Sequence, residues 1–226
     1  MTARDEVIAT VTEVVVAADA GHPVRVAVEG ITAAGKTTFA RELASAVVAT
    51  GRPARALTMD GWHHPAEHRH RQGRGSADGY YEDAYDLAAF RDEVLVPLGG
   101  SAPHAYRPAV LDLATDQRVA PELVTVAPDE VVLVDGSFLG KPELAGRWDV
   151  RIWLDVPFEV AQARGVARDA EQLGGAEAAA EAFQRRYHAA FRRYLSECDP
   201  MAAADVVVDN TDPAEPRLLR PWLPPR

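Results

Sequence analysis

The sequence has a single cysteine, Cys198, among 226 residues. It therefore cannot form an intrachain disulfide, and folds held together by such bridges are excluded. Long apolar runs are also missing. No stretch approaches the roughly 18 residues of a membrane span, and acidic Asp5 and Glu6 stand where a secretory signal would have a basic start. Cations are in deficit, with 24 Lys and Arg against 34 Asp and Glu, for a formal net charge of -10. Such a surface opposes a nucleic-acid backbone or an anionic membrane, where cations must replace counterions. These absences predict a cytoplasmic protein that binds neither a nucleic-acid polymer nor a membrane. Asparagine occurs once, as Asn210 in Asp209-Asn210-Thr211-Asp212. The Asn-Lys-x-Asp element with which GTPase switches read guanine is therefore not encoded.

With 47% hydrophobic and 26% charged residues, the composition is that of a globular chain. Its length suits one α/β domain spanning 1–226 rather than two. Val7, Ile8, Val11, Val14 and Val15 recur at helical spacing and predict an N-terminal helix within 1–21, closed by Gly21 before Pro23. Short apolar, β-branched runs at 24–30, 54–60, 131–136, 150–156 and 204–210 read as strands. Helical patterns alternate with them at about 36–50, 84–96, 157–171 and 176–197. This alternation predicts a parallel five-stranded sheet with helices on both faces, where ligands gather at the carboxyl ends of the strands. Polar segments 61–80 and 99–121 read as functional loops. Five prolines in 212–226 predict an irregular tail.

Gly30-Ile31-Thr32-Ala33-Ala34-Gly35-Lys36-Thr37 fits the pattern G-x-x-x-x-G-K-[ST] between a predicted strand and a predicted helix. In such a P-loop the glycines let the backbone curl, so that N–H groups from Gly30, Ala33, Ala34, Gly35, Lys36, Thr37 and Thr38 face phosphate oxygens. Lys36 adds a charge for the β- and γ-phosphates, and the Thr37 hydroxyl is placed to ligate Mg²⁺. The cofactors expected are ATP and Mg²⁺. Asp135, at the end of VVLVD, is expected to hold the metal directly or through water, although an Asp before Gly136 also reads as a turn. A motor or transporter ATPase usually ends this strand in Asp-Glu, so a small-molecule kinase fits better. Asp60 ends the run ALTM and is the expected base, orienting an acceptor hydroxyl and taking its proton; an Asp-Gly turn is the alternative. The partners expected are ATP and a small acceptor, and a homo-oligomer is compatible with this reading.

The order of motifs resembles the uridine kinase and phosphoribulokinase group of P-loop kinases. It runs from the P-loop at 30–38 through Asp60 with Trp62 and His63, Glu82-Asp83-Ala84-Tyr85-Asp86, Pro103-His104-Ala105-Tyr106, VVLVDGSFL at 131–139 and Arg168-Asp169 to Tyr187. The resemblance implies a P-loop kinase fold with an Arg-bearing lid at about 157–197. It also implies phosphorylation of a nucleoside such as uridine or cytidine. In that scheme Asp60 is the base for the 5′-hydroxyl, Asp83 accepts from the ribose 2′- and 3′-hydroxyls, and Tyr106 flanks the base. Arg164 and Arg168, four apart on one helical face, close over the phosphates. Asp83 also reads as a helix-start residue, Tyr106 as loop packing, and the arginines as a solvated face pairing with Asp169 or Glu171.

Three positions depart from the family. Leu111 stands where a base-reading His is usual, Arg186 where a Gln is usual, and Asp135 where a Glu is usual. Another alcohol, such as pantothenate or a sugar, is therefore the alternative acceptor, and one suited to Arg107 and Arg186 carries a carboxylate or phosphate. A nucleotide-binding sensor without catalysis is a further alternative, opposed by Lys36, Thr37 and Asp60 occurring together. His63, His64, His68 and His70 read either as a metal site or as a loop covering substrate, with His63, nearest Asp60, placed to touch substrate.

Overall fold

A computed structural model describes residues 2–220. At its start, the Thr2 hydroxyl accepts from the Asp5 N–H while the Asp5 carboxylate accepts from the Thr2 N–H, a reciprocal cap that opens α1 (Ala3–Ala17). The P-loop unit follows as β1 (Val24–Gly30), α2 (Lys36–Ala49) and β2 (Ala54–Thr58). Next come short elements, α3 (Ala66–Arg69), α4 (Ala77–Asp83), α5 (Leu87–Phe90), α6 (Val96–Leu98), β3 (His104–Tyr106), β4 (Leu111–Asp112), β5 (Gln117–Arg118) and β6 (Val124–Val126). Strand β3 pairs with β6, and β4 with β5, as small antiparallel ribbons. The second half comprises β7 (Val131–Asp135), β8 (Val150–Asp155), α7 (Phe158–Asp169), α8 (Ala176–Ala182), α9 (Ala189–Cys198), β9 (Val206–Asp209) and β10 (Arg217–Arg220).

The main sheet has the order β10-β9-β8-β1-β7-β2. Strands β1 and β7 are buried at every residue, as expected of parallel strands covered on both faces. Their register aligns the carboxyl ends, with Asp135 opposite Val28 on one side and Thr58 on the other. That alignment brings the P-loop, Asp60 and Asp135 to one edge.

Two expectations are corrected by the fold. The sheet has six strands rather than five, because Arg217–Arg220, expected to be irregular, pairs antiparallel with β9. Pro213 and Pro216 lie before this strand and none lies inside it, so its N–H groups remain able to pair. The rest of the expected tail, 221–226, lies outside the described residues. The helical patterns at 84–96 and 176–197 are each interrupted by a π turn, at Arg91–Leu95 and Phe183–His188. Among the described residues, no helix is long and apolar enough to cross a membrane.

Candidate active site

A cavity of about 610 Å³ opens at the carboxyl edge of the sheet. Thr32, Ala33, Lys36 and Thr37 line it from the P-loop. Gly30 and Gly35 shape the back of the loop, Ala34 is buried, and Thr38 is exposed on the first turn of α2. Gly35 takes φ 91°, and a Cβ there would lie 2.8 Å from Asn210 Nδ2, so this position requires glycine. Ala33 also takes a left-handed conformation, φ 67°, which costs a non-glycine residue roughly 1–2 kcal/mol. Strain of that kind aims backbone N–H groups that a relaxed turn would direct elsewhere.

Lys36 folds back on its own loop, donating from Nζ to the Gly30 and Ile31 carbonyls at 3.0 and 2.9 Å. Desolvation pushes its pKa down to about 8, against the pull of Asp135 and Asp60. The Thr37 hydroxyl donates to Asp135 Oδ2 at 2.6 Å. Thr58 links the Asp135 carboxylate to the Asp60 backbone: its hydroxyl donates to Asp135 Oδ2 at 3.4 Å and accepts the Asp60 N–H at 3.3 Å. Burial raises the Asp135 pKa, while Thr37 and Lys36 oppose that rise. Thr37 and Asp135 thus form an oxygen-only pair beside the phosphate cradle. Such a set fits Mg²⁺, which takes one or two protein oxygens and fills its remaining positions with water and phosphate. Asp60 lies exposed on the single turn Met59–Trp62 and lines the same cavity.

His63 is buried beside this turn, its Nδ1 3.0 Å from the Asp60 carbonyl and its ring 4.2 Å from that of Tyr85. A carbonyl only accepts, so Nδ1 carries the proton; with burial holding the ring's pKa down, Nε2 is left as an acceptor. Arg168 reaches the cavity and is paired side-on with Asp169 at 2.6 and 2.7 Å. Arg186 also lines it, its guanidinium over the faces of Tyr80 and Tyr187 at 5.1 and 5.2 Å.

Four expected site residues are placed elsewhere. Arg164 shares the helix of Arg168 but donates to the Asn210 and Thr211 carbonyls at 3.1 and 2.6 Å. It thereby ties α7 to the segment that holds the P-loop from behind, where Asn210 Nδ2 donates to the Ala34 carbonyl at 2.7 Å. Asp83 is 1% exposed and is bound by Arg71 and by Gln72 at 2.8 Å. Although burial alone would raise its pKa, those two partners hold it below the ordinary value. Tyr106 packs in the core, and Arg107 is engaged by Glu93 and by the Pro121 carbonyl. Each of the four spends its polar groups on internal partners or is enclosed, so none lines the cavity.

The cavity also recruits Arg69, Tyr80 and Ser137, which the sequence reading did not single out, together with His70, Tyr85 and Asp169, which it named only within motifs. Arg69 and His70 belong to the polar loop already read as functional. Thr58 and Asn210 follow the same strand-end rule that selected Asp60 and Asp135, and that rule would have found them. For Tyr80 no local signal exists. His64 and His68 stack ring on ring at 4.0 Å, and among the described residues no three His, Cys, Asp or Glu side chains converge as a metal site.

Comparison with known proteins agrees with this fold. Residues 25–214 match the model of the phosphoribulokinase/uridine kinase family. A uridine kinase from Brevibacillus brevis is 25% identical over 158 residues, covering 68% of this chain and 70% of the relative. Among solved structures, a candidate uridine kinase from Bacillus stearothermophilus superposes with a TM-score of 0.71 at 21% identity, covering 90% of this chain and 97% of the other. A candidate fructose transport system kinase from Silicibacter sp. TM1040 gives 0.67 at 26% identity, covering 87% and 95%. The D-glycerate 3-kinase from Cryptococcus neoformans, at 0.55 and 11% identity over 85% and 89%, shares the fold.

Proposed function

The chain belongs to the phosphoribulokinase/uridine kinase family of ATP-dependent small-molecule kinases, and from that premise we propose that it transfers the γ-phosphoryl group of Mg-ATP to a hydroxyl of a small alcohol held beside Asp60. One observation carries this reading: the exposed Asp60 carboxylate, Lys36 and the Thr37–Asp135 pair all line a single cavity. Mg-ATP supplies the phosphoryl group and a divalent charge. The strained loop presents its N–H groups to the phosphates, and Lys36 exchanges two carbonyl partners for phosphate oxygens. Thr37 and Asp135 would hold the Mg²⁺ ion. Asp60 orients the acceptor hydroxyl and takes its proton as that oxygen bonds to the γ-phosphorus and the bond from phosphorus to the bridging oxygen breaks, with ADP as the leaving group. Arg168, released from Asp169, offers its guanidinium to charge that develops in transfer.

Two acceptor classes stand behind the chemistry. The name of the Brevibacillus relative supports a nucleoside such as uridine or cytidine. The cavity supports another alcohol, because Asp83 and Tyr106, the residues that would read ribose and base, do not line it. ADP release across nucleosides, sugars, pantothenate and small hydroxy acids separates the two, and a non-catalytic sensor would bind ATP without any acceptor-dependent release. Replacing the base tests the common chemistry. Asp60→Asn is expected to lower kcat by about 10²–10⁴-fold while ATP still binds; turnover within twofold of the parent would remove Asp60 from the role.

A further inference from the structure

Among the cations that line the cavity, two have their charge already engaged. Arg69 is paired with Asp116, and Arg168 with Asp169. Arg186 differs. No carboxylate among the described residues pairs with it, its position is fixed by the faces of Tyr80 and Tyr187, and its Nε is buried without a hydrogen-bond partner. An unspent donor of this kind is costly to keep unless something else satisfies it. On the same cavity His70 Nδ1 is also buried and unpartnered, and it is a second free donor in the tautomer that carries the proton there. Beyond the effect of burial, the charges of Arg186, Arg69 and Arg74 all bear on His70 and hold its pKa down. His63 feels Arg69 and Arg186 in the same way. The wall built by the 63–70 loop and the Phe183–His188 turn is therefore electropositive and short of acceptors. Among the described residues none of the cavity's acids pairs with Arg186: Asp60, whose charge offsets the arginines at His63, is the proposed base, Asp135 faces Thr37, and Asp169 is taken by Arg168.

We propose that the acceptor alcohol carries an anionic group, a carboxylate or a phosphate, and that Arg186, assisted by His70, binds that group while Asp60 faces the hydroxyl. The inference rests on the kinase reading of the site and narrows its acceptor class. A guanidinium packed over two aromatic rings, Tyr80 and Tyr187, has no carboxylate partner there, and its N–H fork suits a planar carboxylate or a phosphate edge. A neutral alcohol can offer hydroxyl oxygens to Arg186 but no negative charge to offset the guanidinium.

The test uses the full chain saturated with Mg²⁺ and a non-hydrolysable ATP analogue. Calorimetry then compares matched pairs, glycerate against glycerol and ribose 5-phosphate against ribose, with uridine as a neutral base-bearing probe. At least one acid is expected to bind 10–100-fold more tightly than its neutral twin, the range for a hydrogen bond to a charged group. Which acid does so distinguishes carboxylate from phosphate. Arg186→Gln should erase most of that preference and leave affinity for the ATP analogue unchanged. If that variant does not fold, Arg186→Lys, which keeps the charge and loses the fork, should retain only part of the preference. Equal binding within both pairs, no binding of either acid, a preference that survives Arg186→Gln intact, or a loss confined to the ATP analogue would each overturn the proposal. The underlying kinase reading is judged separately. Asp60-dependent ADP release with neutral acceptors alone would keep that reading and sink this one, whereas no Asp60-dependent release with any acceptor would sink the kinase reading itself.

Discussion

Raising the pH should switch off the P-loop through one side chain. The Lys36 pKa, ordinarily 10.5, is pushed down to about 8, chiefly by desolvation, because the ammonium is buried and hydrogen-bonded to two neutral carbonyls, and the pull of Asp135 and Asp60 offsets only part of that cost. With that value, about 90% of the side chain is charged at pH 7 and about 10% at pH 9. Phosphate binds the charged form, so the apparent Kd for Mg-ATP should rise about tenfold between these pH values, roughly 1.4 kcal/mol. Binding at pH 8.5 should also draw in about 0.8 of a proton per nucleotide, since that fraction of Lys36 must be recharged. Calorimetry in two buffers of different ionisation enthalpy, at matched ionic strength, reads both quantities at once. Lys36→Ala should bind weakly, show no step near pH 8 and take up no proton there. An affinity that is flat from pH 7 to 9 in the parent, or a step that persists in Lys36→Ala, would refute this account of the loop.

Two further tests address the fold that carries the site. A Cβ at Gly165 would lie 1.8 Å from Phe183 Cζ, so Gly165→Ala must push α7 away from the Phe183–His188 turn; overpacking of this kind costs about 1–3 kcal/mol, and urea unfolding no weaker than the parent's would contradict it. His188 is buried against the rings of Phe158 and Phe183, and burial lowers its pKa from 6.5 to about 4. A depressed pKa means that its contribution to stability is present above 6.5 and is lost as the pH falls through about 4. Calorimetric Tm should therefore drop between pH 6.5 and 4, and His188→Leu should flatten that drop; an identical slope in the variant would exclude His188 as its source.

The local features of the site were legible in the sequence because contiguous residues make them. The P-loop needs only the backbone of 30–38 between a strand and a helix, so its pattern and its geometry coincide. Asp60 and Asp135 were found for a similar reason: an apolar run that ends in an acid delivers that acid to the sheet edge wherever the strand lies. What sequence could not decide was whether a polar side chain faces the cavity or an internal partner. Arg164 and Arg168 share a helical face, yet one is spent on the 210–211 carbonyls and the other reaches the cavity. Asp83 and Arg107 carry the right charges for an acceptor site, but Arg71 and Glu93 pair with them, and Gln72 also donates to Asp83. Strand β10 exists because β9 offers it an edge, which its own residues do not reveal. A P-loop with an acid beside it at the sheet edge was thus a property of the chain alone. The sign of the wall facing that acid depends on tertiary pairing, which engages Arg69 and Arg168 with carboxylates and, among the described residues, leaves Arg186 without a carboxylate partner.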